Sequence, residues 1–176
     1  AGALAGLGGP GTVGGAPART AAANEKVGVR PLSRSAVKFD VARVLFNPAD
    51  DSRLAVAGFS RCQIFTLGAK GGVTDRLCVG PEEWPMDGIS GAILDVAWVP
   101  GSASMFAVLV AAHVAVFDLS VSAVAPATTV SLPPHPDRPL ETRASIVAAA
   151  FARRKGTIAL LLLSEDGLGY CHVFPE

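Results

Sequence analysis

The chain has 176 residues, half of them hydrophobic and 17% charged, which is enough apolar content for a buried core and too little charge for a disordered polyelectrolyte. Its formal net charge is zero. Residues 1–37 carry Arg19, Lys26, Arg30 and Arg34 against Glu25, a balance of +3, so residues 38–176 carry −3, and neither value supplies the clustered Lys and Arg that a nucleic acid or an anionic membrane requires.

Cys62, Cys78 and Cys171 lie far apart and form no C-x-x-C pair, which argues against a disulfide framework and a zinc site and for reduced thiols in a cytosolic protein. The longest strongly apolar run, Met105 to Phe117, has 13 residues and includes His113, short of the ~20 that cross a bilayer. The opening AGALAGLGGPGTVGG has no basic n-region and no dense apolar h-region, so it does not read as a secretion signal. A start at Ala rather than Met is what a fragment of a longer product would show.

Residues 1–37 are rich in Gly, Ala and Pro without apolar periodicity and read as a disordered tail or linker, since they could not bury enough surface to offset the entropy of ordering. From residue 38 the texture changes to short apolar runs separated by Gly, Pro, Asp and Ser, which predicts many short strands. The first set is expected near residues 41–46, 53–58, 61–67 and 72–79, the second near 93–98, 105–111, 113–119 and 127–132, and the third near 146–151, 157–163 and 169–174. Runs such as LAVAGF (54–59), MFAVLVA (105–111) and TIALLLL (157–163) are apolar at nearly every position, the pattern of strands buried on both faces.

An internal repeat joins the sets. Phe46, Trp98 and Phe151 lie 52 and 53 residues apart, as do Phe65, Phe117 and Tyr170, and as do Ala57, Leu109 and Leu162. A repeat of this length made of four short strands predicts an all-β, WD40-like β-propeller segment of about three four-stranded blades, near residues 38–80, 92–133 and 145–176, the last incomplete. The aromatic that closes the third strand sits where WD40 repeats place Trp, and only Phe117-Asp118 keeps the Asp that follows it. Gly71-Gly72 occurs once, against the recurring Gly-Gly of kelch repeats. Asp166-Gly167 is a strong hairpin signal and Ala111-Ala112 a chemically poor one. Three blades do not close a ring, so the expectation is that further blades lie beyond Glu176.

No constellation reads as catalytic or metal-binding, and no cofactor is expected. GLGGPG (6–11) fits G-x-G-x-x-G only formally, because no strand precedes it and Pro10 interrupts it. His113, His135 and His172 do not converge with acids at ligand spacing. The acid pairs Asp50-Asp51, Glu82-Glu83 and Glu165-Asp166 fall in turns or loops, where solvation explains them. The first-strand positions Arg43, Asp95 and Ala148 repeat no acid or ligand, which counts against a propeller-type hydrolase. Two features are candidate protein contacts. Arg153, Arg154 and Lys155 fall at the first hairpin of the third set, as a solvated turn or a contact for an acidic partner. Trp84, beside Pro85 and Met86 in the loop 80–91, is an exposed anchor or a lid over the gap between blades.

VARVLFNPADDSRLAVAGFSRCQIFTL (41–67), GGVTDRL (71–77), AWVPGS (97–102), VFDLS (116–120) and LLLSEDGLGY (161–170) together resemble one family. The chain is similar, over roughly residues 38–174, to the propeller region of the giant E3 ubiquitin ligases known as calossin or pushover in animals and BIG in plants. The A-G-F-x-x-C-Q-x-x-T block (57–66) and W-V-P-G-S (98–102) are the most specific parts. The resemblance implies a segment of a very large cytoplasmic scaffold that recognises degradation substrates, including N-degron proteins, and passes ubiquitin to them, with auxin transport and growth as its setting in plants. It implies as partners the remaining blades, ubiquitination substrates and calmodulin. The family's N-degron box and ligase module are separate Cys/His-rich segments, so no catalytic residue carries over and this segment is expected to be non-enzymatic. A stand-alone WD40-like adaptor is the alternative.

Overall fold

The structure, a computed structural model, describes residues 36–80, 92–133 and 144–174. The expected tail lies outside them except for its last two residues, and so does Trp84. Among the described residues every regular element is a strand, and the strands build three antiparallel sheets.

Sheet one runs β1 (Arg43–Asn47), β2 (Asp50–Ala57), β3 (Cys62–Leu67) and β4 (Val73–Val79), in that spatial order. Sheet two repeats the meander with β5 (Ile93–Trp98), β6 (Met105–Val110), β7 (His113–Asp118) and β8 (Thr128–Ser131). Sheet three has β9 (Ile146–Arg154), β10 (Thr157–Ser164) and β11 (Gly169–Phe174). These bounds agree with the strand positions read from the sequence to within a few residues. Where the sequence predicts a propeller segment, the described residues form three antiparallel sheets and no closed barrel.

Strands 3.3 Å per residue long with side chains alternating between two faces explain why the runs are apolar throughout. One face of sheet two packs on sheet one and the other on sheet three. The first joint buries Ala55, Ala57 and Ile64 of sheet one against Val96, Trp98, Phe106 and Phe117 of sheet two. The second buries Ala107, Leu109 and Val116 of sheet two against Leu160 and Leu162, with Phe151 and Tyr170 half-buried beside them. The first strands touch in succession, β1 with β5 and β5 with β9.

Each joint also has a backbone clasp. Ile93 N–H, at the start of β5, donates to Phe59 O in the β2–β3 turn at 2.7 Å. Ile146 N–H, at the start of β9, donates to Ala111 O in the β6–β7 turn at 2.6 Å. The Ala111-Ala112 turn is thus a tight hairpin closed by the pair Val110↔His113. Its poor turn chemistry is tolerated because the turn is held by the next sheet.

The register corrects the sequence repeat in sheet three. Phe46 pairs with Leu54, and Trp98 pairs with Phe106, both eight residues on, whereas Phe151 pairs with Leu160, nine on. One extra residue in that hairpin turns Leu162 to the face opposite that of Leu109: Leu162 packs on sheet two, and Leu163 takes the place equivalent to Leu109. The β10–β11 turn spans Glu165–Leu168, longer than the two residues Asp166-Gly167 suggest, so His172 rather than Tyr170 stands opposite Leu160. Tyr170 lies two residues away on the same face, and that even offset keeps it in the core.

Candidate protein-contact site

The β9–β10 hairpin carries the basic cluster. Arg154 pairs with Thr157, leaving Lys155-Gly156 as a two-residue turn with φ of 52° and 93°. Two successive positive φ values define a type I′ turn, whose twist matches that of the flanking strands. All three cationic residues are exposed. They are not equivalent. Arg153 shares a face with Phe151 and reaches back to sheet two, where its guanidinium lies over Gly101; a Cβ at position 101 would fall on it. Gly101 has φ of 79°, so both its conformation and the space above it require glycine. Lys155 projects from the turn, and Arg154 belongs to the opposite face, on which Ala150 and Ala152 also lie.

The same β5–β6 turn receives sheet one from its other side. Asn47 is 2% exposed and donates from Nδ2 to Ala103 O at 3.1 Å and Ser102 O at 3.3 Å, while its Oδ1 accepts from Ala49 N–H at 2.8 Å. Arg53 donates to Ala103 O at 3.0 Å and pairs with Asp50 at 3.4 Å. Ser102 Oγ accepts from Met105 N–H at 2.9 Å. Trp98 Nε1 donates to Leu45 O at 3.2 Å, and its ring meets Phe106 edge-on at 4.9 Å. In sequence, Asn47-Pro48 reads only as the turn signal that ends a first strand. A buried Asn reaching a neighbouring sheet has no local signature, because its acceptors are 55 and 56 residues away.

Arg43 and Asp95 do come together, at 3.4 Å across adjacent first strands, beside a cleft of about 280 Å³ lined also by Phe59, Leu94 and Val96. Their side chains are 58% and 45% exposed, so the pair contributes little to stability. With Ala148 in the equivalent place on β9, the row offers no acid/base dyad. Asp50 is tied to Ser52 by its hydroxyl at 2.6 Å, which holds its carboxyl below the usual range, and Asp166 accepts from Ser164 Oγ. Glu82-Glu83 and His135 lie outside the described residues. His113 is buried and bonded through Nδ1 to Ser131 Oγ at 2.6 Å, and His172 stacks edge-on against Phe174 at 4.9 Å. Among the described residues no three His, Cys, Asp or Glu side chains group as a metal site would require. Burial, with a smaller effect of the neighbouring Cys78, pushes the Cys62 thiol up to about 12, so it is no nucleophile; Cys78 and Cys171 are exposed. No helix among the described residues is long and apolar enough to cross a membrane.

These residues define a class before they define a relative: an array of antiparallel sheets, joined face to face, whose distinctive sequence blocks build the joints. A-G-F-x-x-C-Q-x-x-T supplies buried Ala57, the clasp carbonyl of Phe59 and buried Cys62; W-V-P-G-S supplies Trp98 and the turn that Asn47, Arg53 and Arg153 meet. No family model matches the chain. Among curated proteins it is 35% identical over 146 residues to auxin transport protein BIG of Oryza sativa subsp. japonica, covering 83% of this chain and 3% of that protein. It is 29% identical over 149 residues to a probable E3 ubiquitin-protein ligase of Dictyostelium discoideum, covering 84% of this chain and 2% of that protein. It is 26% identical over 105 residues to protein purity of essence of Drosophila pseudoobscura pseudoobscura, covering 60% of this chain and 2% of that protein. The chain belongs to this family of BIG-type proteins, and it spans only 2–3% of the length of these relatives. In fold, it is similar to a chain of the Nup82 NTD–Nup159 tail–Nup145N APD complex of Chaetomium thermophilum, with a TM-score of 0.54 at 18% identity, over 77% of this chain and 32% of that one.

Proposed function

We propose that residues 38–176 are consecutive blades of a WD40-like propeller that act as a non-catalytic scaffold within a giant E3 ubiquitin ligase. The observation that carries this is the repetition of one joint: two successive sheets dock on their predecessors by the same clasp and the same packing, with first strands touching in order. Rigid sheets display turns around an axis without needing chemistry of their own, and the described residues offer buried thiol, turn-bound carboxylates and an exposed ion pair rather than a reacting pair. In this reading the scaffold works in cytoplasmic ubiquitination, with N-degron substrates and calmodulin as partners and auxin transport as its plant setting; the similarity to auxin transport protein BIG and to a probable E3 ubiquitin-protein ligase supports it. The exposed hairpin of Arg153, Arg154 and Lys155 is the contact surface we propose toward such partners, and Trp84, outside the described residues, is a separate candidate contact.

The test is deletion of this segment from the full-length parent ligase. Retained ubiquitin discharge from the charged E2 to free lysine, with loss of substrate ubiquitination, is the expected result. Loss of discharge itself would make the segment part of the catalytic machinery and overturn the reading.

A further inference from the structure

Three exposed apolar residues recur at one place in the repeat. Val41, Leu94 and Val147 stand 53 residues apart and are 49%, 47% and 54% exposed. Val41 lies just ahead of β1, and the other two are the extra residues of β-bulges. Ile93 pairs with Val110 and Asp95 with Leu109, which leaves Leu94 out of the ladder; Ile146 pairs with Ser164 and Ala148 with Leu163, which leaves out Val147. A bulge bends its strand and re-aims a side chain. Here each bulge follows the buried isoleucine that makes the clasp, Ile93 or Ile146, and turns the next apolar side chain to water. Packing in the joints does not explain an apolar residue at such a point. Single exposed apolar side chains are ordinary, but three at the same place on three adjoining sheets are not.

The row is continuous, since β1 touches β5 and β5 touches β9. Phe59, 65% exposed in the β2–β3 turn, and Leu94 both line the cleft of about 280 Å³, which has room for one large side chain. Arg43 and Asp95 line the same cleft as an exposed pair 3.4 Å apart. A cation and an anion side by side make a poor site for phosphate, which Asp95 repels, and a good one for a segment that carries both signs.

We infer that this row is a docking surface for an extended segment of a partner protein. The segment seats one large apolar side chain between Phe59 and Leu94, with an acidic residue against Arg43 and a basic residue against Asp95. Its other apolar side chains cover Val41 and Val147. A buried anchor supplies most of the energy of such a contact, and the charges fix its direction. The surface lies at the opposite end of β9 from the Arg153–Lys155 hairpin, so it is separate from that contact and does not rest on the ligase reading.

The probe is a random peptide library displayed on phage and selected on the 176-residue chain. The expected peptides share a large apolar residue with an acid on one side and a base on the other. Their binding, read by fluorescence anisotropy, should weaken about tenfold or more in Leu94→Asp and in Phe59→Ser. Both side chains are exposed, and circular dichroism checks that the variants fold. The double variant Arg43→Asp with Asp95→Arg should select peptides with the two charges exchanged, a result that unfolding cannot imitate and that carries the test if either single variant unfolds. No enrichment over empty resin overturns the inference. Peptides whose binding survives both single substitutions bind elsewhere and overturn it as well. Apolar peptides without the charge pattern, or the same charge order selected by the exchanged variant, overturn the assignment of the partner's chemistry.

Discussion

Trp98 and Phe46 occupy the same place in the repeat and meet opposite fates. Trp98 is 6% exposed, packed on Phe106 and bonded to Leu45 O, while Phe46 stands 59% exposed. Trp98→Ala should cost about 3–5 kcal/mol through the cavity and the lost indole bond, measured by urea unfolding. A cost below ~1 kcal/mol would show that the first joint does not depend on this side chain. Asp118, which follows the third-strand aromatic, has a different role. Its carboxylate accepts Ser120 Oγ at 2.6 Å and Ser120 N–H at 3.0 Å, and these bonds hold its pKa below the ordinary value of 3.8. A depressed folded pKa contributes stability above the unfolded value and loses it as pH falls through the folded one. The melting temperature should therefore fall below pH 4 more steeply for the wild type than for Asp118→Asn; equal slopes would remove Asp118 from the acid response. The sequence places Trp98 in a repeating aromatic column and shows that Phe117-Asp118 echoes a repeat motif. It could not show Asn47, whose carbonyl acceptors are supplied by another sheet.

At the level of the hairpin, residue type and backbone disagree at one place. Lys155 is the one non-glycine with positive φ among the described residues, in a turn that favours Asn-Gly. A side chain other than Gly, Asn or Asp in this region costs roughly 1–2 kcal/mol. Lys155→Asn should recover about 0.5–1 kcal/mol of that, read as a higher melting temperature, while removing one charge from the candidate contact surface. An unchanged or lowered melting temperature would mean that the lysine is held by contacts the turn geometry does not reveal. Strand positions were legible because runs such as MFAVLV and HVAVFD are β-rich and bounded by turn residues. Register was less legible in sheet three. A column of hydrophobic residues keeps its period on paper when one residue is inserted, because Leu161, Leu162 and Leu163 are interchangeable by hydrophobicity, yet the insertion exchanges the faces of the sheet.

Taken whole, the described residues form an array in which sheets one and three each pack on sheet two, and stability in such arrays is close to a sum of nearest-neighbour terms. The repeat that announced this organisation was visible in sequence as three columns of similar spacing; the direction of packing was not, since a column of aromatics does not say which way it faces. That direction decides which faces are left for partners. The clasps at Ile93 and Ile146 add a constraint of another kind. Both bonds run from a main-chain N–H to a main-chain carbonyl, so nineteen of the twenty amino acids could stand at either position and still make them; proline alone could not. Successive sheets are therefore tied together by atoms that mutation leaves in place. A lineage can rewrite most of the side chains of such an array, one joint at a time, and keep its sheets in order.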